Sequence, residues 1–299
     1  MLVVKATIFT TESRRARRKS KSGGKTVLSK VLRAVLSKGR KRGTPDSIES
    51  GNLRMGDILK ITRIVFKKSS FDKIPENERV FMVQFSMFAN EISTLHKFIV
   101  FSNYHEDGEM ILTAQNTQSF FLLKILAGKL YEGYEIVRKN YFKNQLSRQY
   151  DSLLPEESSR ALSSLKSYFV GDNLIRKIRN KYAFHNDMDP VREQLGTIPN
   201  DVELDVYLAS DHGNSLYSMA HIVSSYALFN EVDPSDHLQA LDRIFKEILE
   251  VASNFLTFAD GILVEIWGKY RIQIESKTEI DLEGIQNIDS VKLPYFVSR

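Results

Sequence analysis

The sequence contains no cysteine. Disulfides, thiolate metal sites and cysteine nucleophiles are therefore excluded outright. Long apolar runs are missing too, because Lys124 and Asp260 interrupt the best stretches before they reach the length that spans a bilayer. The first ten residues fit a strand but are too short and wrongly flanked for a secretory signal. These absences together fit a cytoplasmic chain. No internal repeat is visible.

Acidic residues are scarce in one place only. Residues 1–50 carry 14 Lys and Arg against 3 acids, a net of +11, while the remaining chain is net −6. The overall +5 belongs to this tail, so it is no evidence that the rest of the chain binds nucleic acid. Leu28, Val31, Leu32, Val35 and Leu36 mark an amphipathic helix there, with Lys30, Arg33 and Lys38 on its other side. Such a helix suits RNA, an anionic membrane surface or an acidic partner, and equally a solvated extension. Gly23-Gly24-Lys25-Thr26 is not a phosphate loop, since that pattern requires a glycine where Lys19 stands. Residues 1–54 read as a basic, disordered extension and 55–299 as the folded domain.

What the chain does have is an ordinary globular share of apolar residues, 42%, with 18 Phe and 12 Tyr to fill a core. Phe81, Phe85, Phe88, Ile92, Leu95 and Ile99 recur at steps of three and four. Phe120, Leu123, Ala127, Leu130, Tyr134 and Val137 repeat the rhythm, and Gly128 and Gly133 within that helix predict close approach by a neighbour. Leu162, Leu165 and Phe169 outline a shorter helix. Leu216, Met219, Val223 and Tyr226 mark another, and Leu238, Leu241, Phe245, Ile248, Ala252 and Phe255 form a long seam opened by Asp233 as N-cap. The expected fold is mainly α, an antiparallel helical bundle.

Two stretches break the helical period. Residues 202–208 alternate apolar and polar, as do 271–275, so the two are expected to pair as a small β-ribbon inserted in the bundle. Residues 57–66 fit a strand or a short helix. Asp201, Glu203 and Asp205 read as the solvated side of an edge strand rather than a hard-cation site. His212 and His221 have no second ligand at a recognised spacing and read as structural. No metal and no cofactor is expected.

One segment stands apart. Residues 174–185 predict a short helix capped by Asp172 and stopped by Pro190, with Ile175, Ile178 and Tyr182 on its apolar stripe. Its other face is basic, and Arg179-Asn180 with His185 places a fixed cation and a titratable base within about two turns.

Arg, then Asn, then a histidine at a helix end resembles the signature of HEPN domains, all-α modules of RNA-cleaving toxins, abortive-infection proteins and related defence systems. Residues 88–91 and 127–132 also look like helices of HEPN-like bacterial proteins, so the likeness covers residues 78–265. It implies a metal-independent endoribonuclease in which the RNA 2′-hydroxyl attacks the adjacent phosphate, leaving a cyclic phosphate and a 5′-hydroxyl. On that reading His185 is base or acid, Arg179 holds the phosphorane oxygens and Asn180 orients His185 or a phosphate oxygen. Lys181, Tyr182 and Arg176 would contact the RNA, with Glu91 and Glu132 in support. Residues 179 and 185 lie about 120° apart on a regular helix, so they do not face each other. The likeness accordingly implies a homodimer in which two copies of the 174–186 helix meet near a two-fold axis. The alternative is a non-catalytic helical module for a protein or RNA partner, with Arg179 merely paired to Glu91 or Glu132.

Overall fold

The computed structural model describes residues 59–104, 108–183, 188–198, 200 and 202–298, and the basic extension of residues 1–54 lies outside them. In chain order the elements are β1 (Leu59–Phe66), α1 (Lys68–Phe71), α2 (Glu76–Ser102), α3 (Glu109–Ile136), α4 (Leu146–Tyr150), α5 (Glu156–Val170) and α6 (Leu174–Lys177). They continue with α7 (Met188–Thr197), α8 (Ser218–Val232), α9 (His237–Lys269) and β2 (Ile274–Leu282). The fold is mainly α with one two-stranded antiparallel sheet.

Side-chain contacts fix the directions of the four framework helices. Ser102 meets Ser119 while Asn140, just past α3, reaches Gln84, so α2 and α3 run antiparallel. Ser158 bonds the Thr257 carbonyl and Tyr168 bonds Glu247, so α5 and α9 are antiparallel as well. Glu78 contacts Tyr270 while Phe85 stacks near Phe255 and Phe258, which opposes α2 to α9. The result is an up-down-up-down bundle of α2, α3, α5 and α9.

The sequence explains where these helices begin. Pro75 and Pro155 each precede a first turn with two acids, Glu76 and Glu78 in α2 and Glu156 and Glu157 in α5, which suit the positive end of the helix dipole. For α9, Asp236 supplies the cap by accepting from the Gln239 amide, and Asp233 instead ties the preceding turn through Ser235 and Asp236. The expected start at Asp233 is thus three residues early, because a second aspartate is better placed to take the N3 amide.

Phe81, Phe85, Tyr141, Phe255 and Phe258 are fully buried and stack on one another at 4.7 to 5.8 Å. Each such side chain stabilises the fold by roughly 1.5–3 kcal/mol. Gly133 lies where α2, α3 and α9 converge: a Cβ there would sit 2.8 Å from the Phe255 ring and 3.3 Å from Phe88. The expected close approach is therefore made at that glycine.

The ribbon differs from expectation. β2 pairs with β1, in register from Leu59↔Leu282 to Val65↔Ser276, and not with residues 202–208. That stretch has only one bridge, Tyr207 to Leu216, and leaves Leu204, Val206 and Leu208 exposed. Alternation alone is an insufficient signal, because a strand forms only where another edge lies alongside it. The 59–66 segment enters the bundle beside the exit of α9, where Phe66 packs on Trp267 at 5.7 Å, so its neighbour is fixed by that junction. The ribbon joins the segment that enters the bundle to the segment that leaves it, at one end, rather than being inserted within it. No helix among the described residues is long and apolar enough to cross a membrane.

Candidate functional site

The segment expected as a single α-helix is two pieces. α6 ends at Lys177 and a π-helical turn carries Ile178–Ala183. Such wider turns are rare and concentrate at functional sites, since the added residue redirects the side chains that follow. The cap is Asn173, whose Oδ1 accepts from the Arg176 amide at 2.9 Å; Asp172 pairs with Lys177 at 3.0 Å instead. Leu174, Ile175 and Ile178 are buried in the bundle and anchor the turn. Behind them Tyr168 donates to Glu247 at 2.6 Å and accepts from the Ile175 amide. Burial, reinforced by Glu247, pushes this phenol well above the usual tyrosine range.

Arg179 is held on three sides. Its Nη2 donates to Glu132 Oε1 at 3.0 Å, its Nη1 to Asn180 Oδ1 at 3.1 Å, and the guanidinium lies 5.3 Å from the Tyr131 ring centroid. The side chain is 29% exposed. Asn180 is exposed. Glu91 forms its ion pair with Lys129 at 2.8 Å. Arg176 donates to the Phe169 carbonyl at 3.2 Å and closes the bend between α5 and α6. His185 lies outside the described residues.

A residue that sequence reasoning missed holds the other half of the segment. Glu231 accepts from Lys181 at 3.0 Å through one carboxylate oxygen and from Tyr182 at 2.9 Å through the other. Tyr182 also reaches the Ala227 carbonyl, so two consecutive residues are clamped to α8. A signal for this existed: Glu231 stands in the last turn of α8, where a negative charge is disfavoured by the helix dipole unless cations hold it.

The chemistry available is that of fixed charge. A guanidinium oriented by Glu132, Asn180 and Tyr131 offers donors in a rigid fork that matches phosphate oxygens. Lys177, Arg179 and Lys181 each have a carboxylate partner, so an incoming anion competes with these pairs. The chain matches no protein-family model, no curated protein and no solved structure.

Proposed function

We propose that this chain is a HEPN-type endoribonuclease of defence or toxin class, cutting RNA without a metal through attack of the 2′-hydroxyl on the adjacent phosphate. The observation that supports it best is Arg179, fixed on three sides on a π-helical turn and partly open to solvent. In the reaction the 2′-oxygen forms its bond to phosphorus as the bond to the 5′-oxygen breaks. His185 takes the proton of the 2′-hydroxyl, and a proton is returned to the departing 5′-oxygen. Arg179 stabilises the charge that builds on the phosphorane oxygens, and Asn180 orients a phosphate oxygen or His185. Lys181, Tyr182 and Arg176 line the approach. Two chains meet as a homodimer through the 174–186 segment, bringing both copies together near a two-fold axis.

A second reading rests on the ion pairs. Because Arg179 and Lys181 already bind Glu132 and Glu231, the same contacts describe a clasp holding the segment in a non-catalytic helical module for a protein or RNA partner.

The test is cleavage of mixed cellular RNA in the presence of EDTA by the wild type, Arg179→Ala and His185→Ala, with folding checked by circular dichroism. Cleavage that survives EDTA and falls by about 100-fold or more in both folded variants is the expected result. Equal cleavage by the variants, or none by the wild type, overturns the enzyme and leaves the binding module.

A further inference from the structure

The other half of the helical face holds a lysine, Lys124, on the wall of a cavity. Between α3 and α8 lies a cavity of about 90 Å³ lined by Lys124, Lys181, Tyr182, His221, Ser224 and Ser225, with apolar walls from Phe120 and Leu228. Among the described residues no carboxylate lines it. Lys181 turns its ammonium to Glu231, whose side chain belongs to the neighbouring clefts. Lys124 is different, because burial alone acts on it and holds its ammonium below the usual lysine range. Among the described residues no charge of opposite sign offsets that burial.

His221 shares this setting. Its ring packs edge-on to Phe120 at 5.5 Å and lies within 3.4 Å of the Ser225 hydroxyl. Burial is the largest cause of its depression to about 3, and the Lys124 charge is one of the smaller ones, so the imidazole is neutral and has one N–H to give. Buried charges are ordinarily paired, and a half-buried ammonium facing a cavity lined with donors is a group awaiting an anion. A cavity of about 90 Å³ has room for one small tetrahedral oxyanion.

We infer that the α3–α8 cavity is an oxyanion site of the phosphate class, in which Lys124 is the principal ligand and the Ser225 hydroxyl and the His221 N–H complete the donor set, while the Ser224 hydroxyl donates to the His221 carbonyl at 3.2 Å. The anion is either free phosphate or the phosphoryl group of a phosphomonoester that keeps the remainder of its ligand outside. The site uses neither Arg179 nor His185, and its existence is independent of RNA cleavage.

The experiment is a titration of the full chain with inorganic phosphate, followed through the imidazole C–H resonances of His221 by NMR. That local readout separates the cavity from anion association with the basic residues 1–50. Saturable movement of the His221 resonances is expected in the wild type and in Arg179→Ala. In Lys124→Gln the apparent affinity should fall by about tenfold or more, the worth of one charge-assisted hydrogen bond. Thermal melting checks that this variant is folded, and Ser225→Ala provides a second, milder loss. Adenosine monophosphate is the second probe: tighter than phosphate it assigns a phosphomonoester, weaker it assigns the free anion, and either sustains the site. Resonances that stay still, or that respond identically in folded Lys124→Gln, overturn it.

Discussion

The seam where α2, α3 and α9 meet and the face where the π-helical turn meets α3 and α8 are built from the same bundle by opposite means. At the seam Gly133 lets the Phe255 and Phe88 rings close over the backbone. On the face the contacts are Arg179 to Glu132, Lys181 and Tyr182 to Glu231, and a cavity with Lys124 and His221 on its walls. Close-packed apolar contacts feel a change of even one methylene. Ion pairs near solvent contribute little net stability, so a face made of them is better suited to exchange partners than to hold the fold.

The largest effect is expected at the seam. Gly133→Val places a branched side chain where even a Cβ lies 2.8 Å from Phe255, so unfolding free energy should fall by about 3 kcal/mol or more in urea denaturation. Phe255→Leu in the same chain should recover part of the loss, since the two sites touch and are not additive. Full additivity of the two changes would mean that the seam has slack and that the contrast with the face is wrong.

The seam was also the part that the sequence made legible. Steps of three and four from Phe81 to Ile99, from Phe120 to Val137 and from Leu241 to Phe255 mark residues that are now mostly in the core, because burial of one helical stripe imposes that period. Gly133 was readable for the same reason, as a glycine inside an otherwise strong helix. The face was not. Whether Lys181 meets Glu231, fifty positions away, depends on how α8 lies against the turn, and no period records it. The 202–208 alternation misled because local pattern is blind to the partner, and β2 took β1 instead. The change to π-helix at Ile178 likewise has no residue that announces it.

An intermediate effect comes from protons. His221 is held at about 3 against an ordinary 6.5, chiefly by burial, so the folded chain refuses a proton that the unfolded chain accepts. Above pH 6.5 both states are neutral there and nothing is lost. Between about 6.5 and about 3 stability must fall as pH falls, by about 1–2 kcal/mol from pH 7 to pH 5 for this one group. His96 and His237 are depressed by burial as well and add to the slope. Urea midpoints at the two pH values, compared with His221→Gln, isolate the His221 share; an unchanged slope in the variant would show that the imidazole is not buried as described.

The smallest effect should belong to the ion pair at the centre of the proposed site. Glu132 is 46% exposed and Arg179 29%, so solvent screens their attraction and Glu132→Gln should cost less than about 1 kcal/mol of stability. The consequence for function runs the other way in the two readings. If the pair serves to aim the guanidinium at a phosphate, loss of the carboxylate frees Arg179 to wander, and RNA cleavage should drop several-fold while the melting temperature hardly moves. If it is a clasp for a binding module, the same variant changes neither cleavage nor melting and instead loosens the turn, seen as faster amide exchange from Ile178 to Ala183. Measuring all three on one protein separates the alternatives, because a contact worth so little to the fold is retained for what it orients or for what it ties down.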